Sequence, residues 1–205
     1  MAAQEFWTEL RNLRCELADR IEALPPEQWD AAAWCQGWRV RDVLGHLVHL
    51  AEASNKSMLT AQLRNFGSPD RFLDHAARQL GQDPVPELAT RLREAADGRF
   101  HVIGSPAAVA LGEVIVHGAD ALRPLGIEME IDPAQVVPVL DAYRRFGRLA
   151  FHAAPGRGRR LVATDADWAG GRGAQVDGRA VDLLLLLANR RQVVAQLEGP
   201  GVKGI

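Results

Sequence analysis

Residues 105–126, SPAAVALGEVIVHGADALRPLG, read as a single helix opened by Ser105-Pro106 and closed by Pro124 and Gly126. Ala108, Leu111, Ile115, Gly118 and Leu122 recur at helical spacing, and the other sides carry Val109, Ala110, Val114, Val116, Ala119 and Ala121. A helix that is apolar all round belongs in an interior. Glu113 and His117 sit inside it, four residues apart, so their side chains share one face. A carboxylate left bare in a dry interior costs several kcal/mol or more, so Glu113 needs a partner. A divalent metal held jointly by Glu113 and His117 would be one, and a third ligand must then come from elsewhere.

A second long helix is expected over residues 39–63, with Val40, Val43, Leu44, Leu47, Ala51, Ser54 and Met58 towards the core. His46 lies at the edge of that stripe, the better candidate for burial. His49 projects with Asp42, Glu52 and Lys56 towards the polar side and is expected to be solvated. Before it, residues 3–24 form a first helix stopped by Pro25-Pro26, and Trp29, Trp34 and Trp38 crowd the connection, where such bulk usually caps a core. Beyond it, a short helix is expected around Arg71–Gln79, with His75 exposed, and another over Glu87–Phe100, followed by His101. Residues 131–156 read as a further helix with Asp132 as N-cap and Pro133 in its first turn.

At Ala153-Ala154-Pro155-Gly156 the composition changes. RRLVATDADW, AQVDG and AVDLLLLLANRRQVVAQL predict two short strands and a helix, with Gly170, Gly171 and Gly173 in the turn between. The expected organisation is a helical bundle over residues 1–153 and a small α/β appendage over 154–205.

The chain has 205 residues, enough for a proper core, with 47% hydrophobic and 24% charged residues and a net charge of −2. That balance gives no pull towards nucleic acid or an anionic membrane. Cys15 and Cys35 form no CxxC and suggest a reducing compartment. The opening MAAQEFWTELRNLRCELADR is amphipathic and charged, unlike a signal peptide, and the run Val181–Ala188 is too short to span a bilayer, so the expected location is the cytoplasm. No nucleophile elbow, phosphate-cradling glycine loop or dinucleotide fingerprint is present. Gly156-Arg157-Gly158 reads as a solvated linker, and Arg144, Arg145, Arg148, Arg157, Arg159 and Arg160 as a solvated face rather than a basic patch.

Metal sites inside bundles are built from side chains on facing helices, and His46 with Glu113 and His117 makes such a set. Two imidazoles and one carboxylate suit zinc and leave a fourth position for water or substrate; nickel or iron would accept the same set. The plain alternative is a satisfied core histidine beside an internal ion pair.

GWRVRDVLGHL, GEVIVHGADALRPLG, VATDADW and the closing VDLLLLLANR…LEGPGV together resemble the mycothiol-dependent maleylpyruvate isomerase family, which belongs to the DinB-like four-helix-bundle metalloenzymes. The resemblance runs over nearly the whole chain in the family's order. It implies a metal held by a histidine of the long second helix and by the Glu and His of the E-x-x-x-H helix, here His46, Glu113 and His117. It also implies the thiol mycothiol as co-substrate. Metal coordination deprotonates a thiol that is otherwise mostly protonated at neutral pH. The thiolate adding to an electrophilic double bond and leaving after rotation gives cis–trans isomerisation; displacement of a leaving group gives S-transfer. The arginine of the family's LLLLLxGR-type ending falls at Arg190, where it would hold a substrate carboxylate. Here Asn189 stands where glycine is usual and Arg191 is an alternative, which puts the register in question.

The expected protein is thus mainly α, a DinB-like bundle acting as a metal-dependent thiol S-transferase or isomerase on a small electrophile. A non-catalytic, metal-binding stress-response bundle and a metal-dependent hydrolase that needs no thiol are the rival readings. A homodimer stays open, with no specific dimer signal in the sequence.

Overall fold

The computed structural model describes residues 3–54, 69–101, 105–150 and 155–205. The apolar stretch that opens the sequence reading forms helix α5 (Ala108–Leu122). Pro124 falls in the 3-10 turn Arg123–Leu125 that follows it, and Gly126 ends that turn with φ +75°. Leu111, Ile115, Ala121 and Leu122 of α5 are buried. Before it come α1 (Ala3–Glu22), α2 (Val40–Glu52), α3 (Pro69–Leu80) and α4 (Val85–Glu94). After it come α6 (Pro133–Ala150), strands β1 (Arg159–Ala163), β2 (Ala169–Gly171) and β3 (Ala174–Gly178), and α7 (Ala180–Leu187).

Contacts divide the chain into two compact units, Met1–Gly104 with Glu113–Met129, and Ser105–Gly112 with Glu130–Ile205. Composition put the change at 153/154; the contacts group α6 with the strands that follow it.

In the first unit, α2 packs against α3 and α4, and α1 against α4 and α2. The stripe predicted for α1 is its core face, with Leu10, Leu13, Leu17 and Ile21 all buried. Gly45 sets the α2–α3 approach: a Cβ there would lie 2.8 Å from the Ala77 carbonyl oxygen and 2.9 Å from the Gly81 nitrogen. Arg14 of α1 is buried and donates to the carbonyls of Ala96 (2.9 Å) and Gly98 (2.6 Å), tying down the chain beyond α4. Burial lowers the Arg14 guanidinium to about 10.

Four expectations for this unit need correction. Helix α2 ends at Glu52, with Ala53 extended (φ −65°, ψ 148°), rather than running to residue 63. Ser54 is exposed, and Ser54 and Asn55 are residue types that compete with a helix for backbone hydrogen bonds; Met58 lies outside the described residues. Asp42 is buried, accepting from the Arg39 backbone N–H (2.9 Å) and guanidinium (2.8 Å), which closes the N-terminus of α2. His49 is half-buried, its ring edge-on to Phe72 at 5.5 Å, because α3 covers that side of α2. Helix α4 is also shorter than the predicted 87–100 at its C-terminal end.

In the second unit the sheet has three strands, ordered β2-β1-β3, where two were expected. Two of the three turn glycines, Gly170 and Gly171, pair with β1 as the edge strand β2 (Leu161↔Gly170, Arg160↔Gly171). β1 runs parallel to β3, with Leu161 opposite Val176. Helix α7 packs on α6 and covers β1 and β3 with a run of leucines, Leu183 to Leu186, each wholly buried. The VATDADW segment supports this packing. Asp165 accepts from the Ala180 N–H (2.8 Å) at the start of α7, and the Trp168 indole donates to Asp141 of α6 (3.1 Å). Asp132 accepts from Ala134 N–H (2.9 Å), the predicted cap of α6.

Candidate metal centre

His46 follows Gly45, where α2 closes on α3, and is 3% exposed. Both ring nitrogens of His46 are buried and neither has a hydrogen-bond partner among the described residues. Such a ring pays for desolvation without compensation, so its nitrogens need a partner that the protein's own donors and acceptors do not supply.

The helical spacing of α5 lines up Glu113, His117 and Asp120. Glu113 Oε2 lies 3.3 Å from His117 Nε2 and 3.5 Å from His46 Nε2. The Glu113 side chain keeps 29% of its exposure, so the group opens to solvent on the Glu113 side and is less enclosed than the sequence suggested. His117 Nδ1 lies 3.0 Å from Asp120 Oδ2, and Asp120 is wholly buried. A carboxylate only accepts, so Nδ1 carries the proton and Nε2 faces Glu113 and His46.

Trp38 forms the wall. Its ring centroid is 5.1 Å from that of His46 and 5.7 Å from that of His117, and the two imidazoles are 4.6 Å apart. The Trp38 indole is itself fixed, donating to Asp74 at 2.7 Å. The tryptophan that looked like a core cap in the sequence is therefore part of the site.

These contacts set three different charge states. Burial lowers His46 to about 4, aided by the neighbouring His117 charge, against a weaker pull from Glu113. Burial also opposes a charge on His117, but the hydrogen bonds and charges of Asp120 and Glu113 outweigh it and raise the ring to about 9. Burial pushes the Glu113 carboxyl up; the adjoining His117 and His46 rings, His117 foremost, overcome it and hold it well below the usual carboxylate range.

The residues fit a divalent ion. One nitrogen each from His46 and His117 and one Glu113 oxygen lie within 4.8 Å of one another. Donors about 2.1 Å from a tetrahedral ion stand roughly 3.4 Å apart, close to the two observed spacings. His46 and His117 offer nitrogens from different helices, and Glu113 offers the charge. Cys35, His117 and Asp120 form a second group within 4.8 Å. It shares His117 and calls on Asp120, whose carboxylate already accepts from Nδ1, so the first set has more donors free.

Of the other residues singled out in the sequence, His75 is exposed, and Arg190 lies just past α7 with its guanidinium donating to the Ala188 carbonyl at 2.7 Å. Asn189 has φ +65° and ends α7, with Asn189 N–H to Leu186 O (3.1 Å) and Arg190 N–H to Leu185 O (2.8 Å). It holds the left-handed conformation that a glycine would take and so ends the helix as a glycine would. Sequence reasoning missed Asp120, Trp38 and Cys35. For Asp120 a signal exists, an aspartate three residues after a histidine on an apolar helix; for Trp38 and Cys35 it does not.

A family model described as the mycothiol maleylpyruvate isomerase N-terminal domain matches residues 10–122, which include Trp38, His46, Glu113, His117 and Asp120 but not Arg190. Two solved structures are similar. One is a histidine-to-alanine mutant of the mycothiol-dependent maleylpyruvate isomerase (TM-score 0.64, 15% identity, covering 100% of this chain and 95% of that one). The other is the mycothiol-dependent maleylpyruvate isomerase itself (TM-score 0.60, 15% identity, covering 93% of this chain and 90% of that one). No curated protein matches the chain. At that identity the structures show a shared fold, the DinB-like one, and no more. The family match spans over half of the sequence, and the chain belongs to the mycothiol maleylpyruvate isomerase family.

Proposed function

We propose that the protein is a metal-dependent enzyme that uses mycothiol as co-substrate, with His46, Glu113 and His117 holding the ion. The observation that carries the reading is the convergence of these three donors around a His46 imidazole with no other partner. The family match supports mycothiol as the thiol. A divalent ion bound there supplies Lewis acidity, which lowers the pKa of a thiol. Zinc suits the donor set best.

The chain's own residues prepare the site. His117 Nδ1–H donates a hydrogen bond to Asp120, so Nε2 is the nitrogen presented to an ion. His46, kept neutral by burial, presents a lone pair without first losing a proton. Glu113 stays ionised and faces solvent on one side, which leaves a way in for a small thiol and its electrophile. Trp38 covers the paired imidazoles and keeps water off them. A thiolate that adds to an electrophilic double bond and leaves after rotation returns the thiol unchanged and gives isomerisation. Displacement of a leaving group gives S-transfer. Arg190 is the candidate holder of a substrate carboxylate.

Elemental analysis of untagged protein, followed by titration with mycothiol and an assay on a maleyl-type electrophile, tests the proposal. About one ion per chain and thiol-dependent turnover are expected, with both lost in His46→Ala while the helical circular dichroism is kept. Full metal retention in that variant overturns the ligand assignment. Turnover without thiol would make the protein a hydrolase, and metal without turnover a binding bundle.

A further inference from the structure

The second unit contains a cleft of about 370 Å³, within the size range of small-molecule sites. Arg144 reaches it from α6, Arg157 from the approach to β1, Arg159 from the first position of β1 and Arg172 from the β2–β3 turn, while Leu161 and Leu187 line its apolar part. No described residue in its lining is acidic. The segment Gly156-Arg157-Gly158 is thus part of a cleft wall and not the plain linker expected from sequence.

The arginines here differ from those elsewhere in the chain. Arg39, Arg78, Arg91 and Arg93 each pair with a carboxylate. Arg144, Arg157 and Arg172 have no ion pair among the described residues. Two of the four guanidinium groups are nevertheless fixed. The Arg144 guanidinium lies 5.9 Å from the Trp168 ring centroid and against Gly170, where a Cβ would come within 2.3 Å of its Nη1. Arg159 donates to the carbonyls of Gly201 (2.6 Å) and Pro155 (2.7 Å), which orient it without cancelling its charge. Four like charges gathered around one cavity, in a protein whose net charge is −2, repel one another unless an anion lies between them.

We propose that this cleft binds a small organic dianion with an apolar body, its charge among the arginines and its body on Leu161 and Leu187. Guanidinium groups suit carboxylate and phosphate alike, so the dianion is either a dicarboxylate or a phosphate ester.

Calorimetric titration of the full chain at about 0.15 M salt with isophthalate and with phenyl phosphate tests this. Saturable binding of at least one probe is expected, and the tighter probe identifies the source of the charge. The double variant Arg157→Gln/Arg172→Gln removes two exposed, unpaired guanidiniums that no fold contact uses, and should bind about tenfold or more weakly. Arg145→Gln, an exposed arginine outside the cleft lining, should bind as the parent does. No saturable binding of either probe overturns the proposal. So does unchanged affinity in the double variant, an equal loss in Arg145→Gln, or loss of binding after the protein is stripped of metal, which would place the anion at the His46 centre.

Discussion

His46 and His117 have ring centroids 4.6 Å apart and opposite charge states, set by what each touches. His46 touches a tryptophan face and no acceptor of good geometry, and is neutral; His117 lies between two carboxylates and holds a proton to about 9. The pH dependence follows. In metal-free protein, His117 stabilises the fold below its ordinary value of 6.5, and this contribution is lost as pH rises from there to about 9. The neutral His46 favours the fold above 6.5, and that contribution is lost as pH falls towards about 4. Thermal unfolding of the metal-free protein should therefore show greatest stability near pH 6.5, and Asp120→Asn should flatten the alkaline side. Metal must also displace the His117 proton. Calorimetry in buffers of different ionisation enthalpy should show release of about one proton at pH 7. Asp120→Asn should cost roughly 10–100-fold in metal affinity, since it unfixes the tautomer of His117; unchanged affinity would mean that Asp120 serves the fold alone.

At the scale of elements, much was legible where the physics is periodic. The stripes of α1 and α5, the Asp132 cap of α6 and the proline-glycine end of α5 all follow from local patterns, and so do Glu113 and His117 as neighbours. The end of α2 was not legible, because the sequence carries apolar residues past Ala53 at helical spacing, whereas the helix ends at Glu52 with Ala53 extended. His49 was misjudged because its cover, Phe72, comes from another helix. Glycine-rich β2 has almost no side-chain pattern to read; it exists through its pairing with β1. Asp120 went unread because its partner is a histidine on its own helix, and only burial gives the pair its meaning. Asn189 is an element-level device, a left-handed cap that ends α7. Asn189→Gly should be neutral or slightly stabilising in denaturant unfolding, whereas Asn189→Val, with a branched β-carbon at φ +65°, should cost about 1–2 kcal/mol or more.

For the whole molecule, the division into two units has a measurable side. His46, Glu113 and His117 all belong to the first unit. Binding that selects the folded state stabilises it by mass action. Chelation should therefore raise amide hydrogen exchange in α2 and in α5 beyond Glu113 more than in β1 and β3; uniform loss of protection would mean that the chain opens as one cooperative body. No helix among the described residues is long and apolar enough to cross a membrane. Trp38 adds a consequence of another kind. The chain has five tryptophans, and among the described residues Trp38 is the one in ring contact with both imidazoles of the site, stacked on His117 and tilted against His46. A protonated imidazole quenches indole fluorescence, and replacing that proton changes the quenching. The protein thus carries its own optical reporter, whose emission follows the filling of the centre without any label.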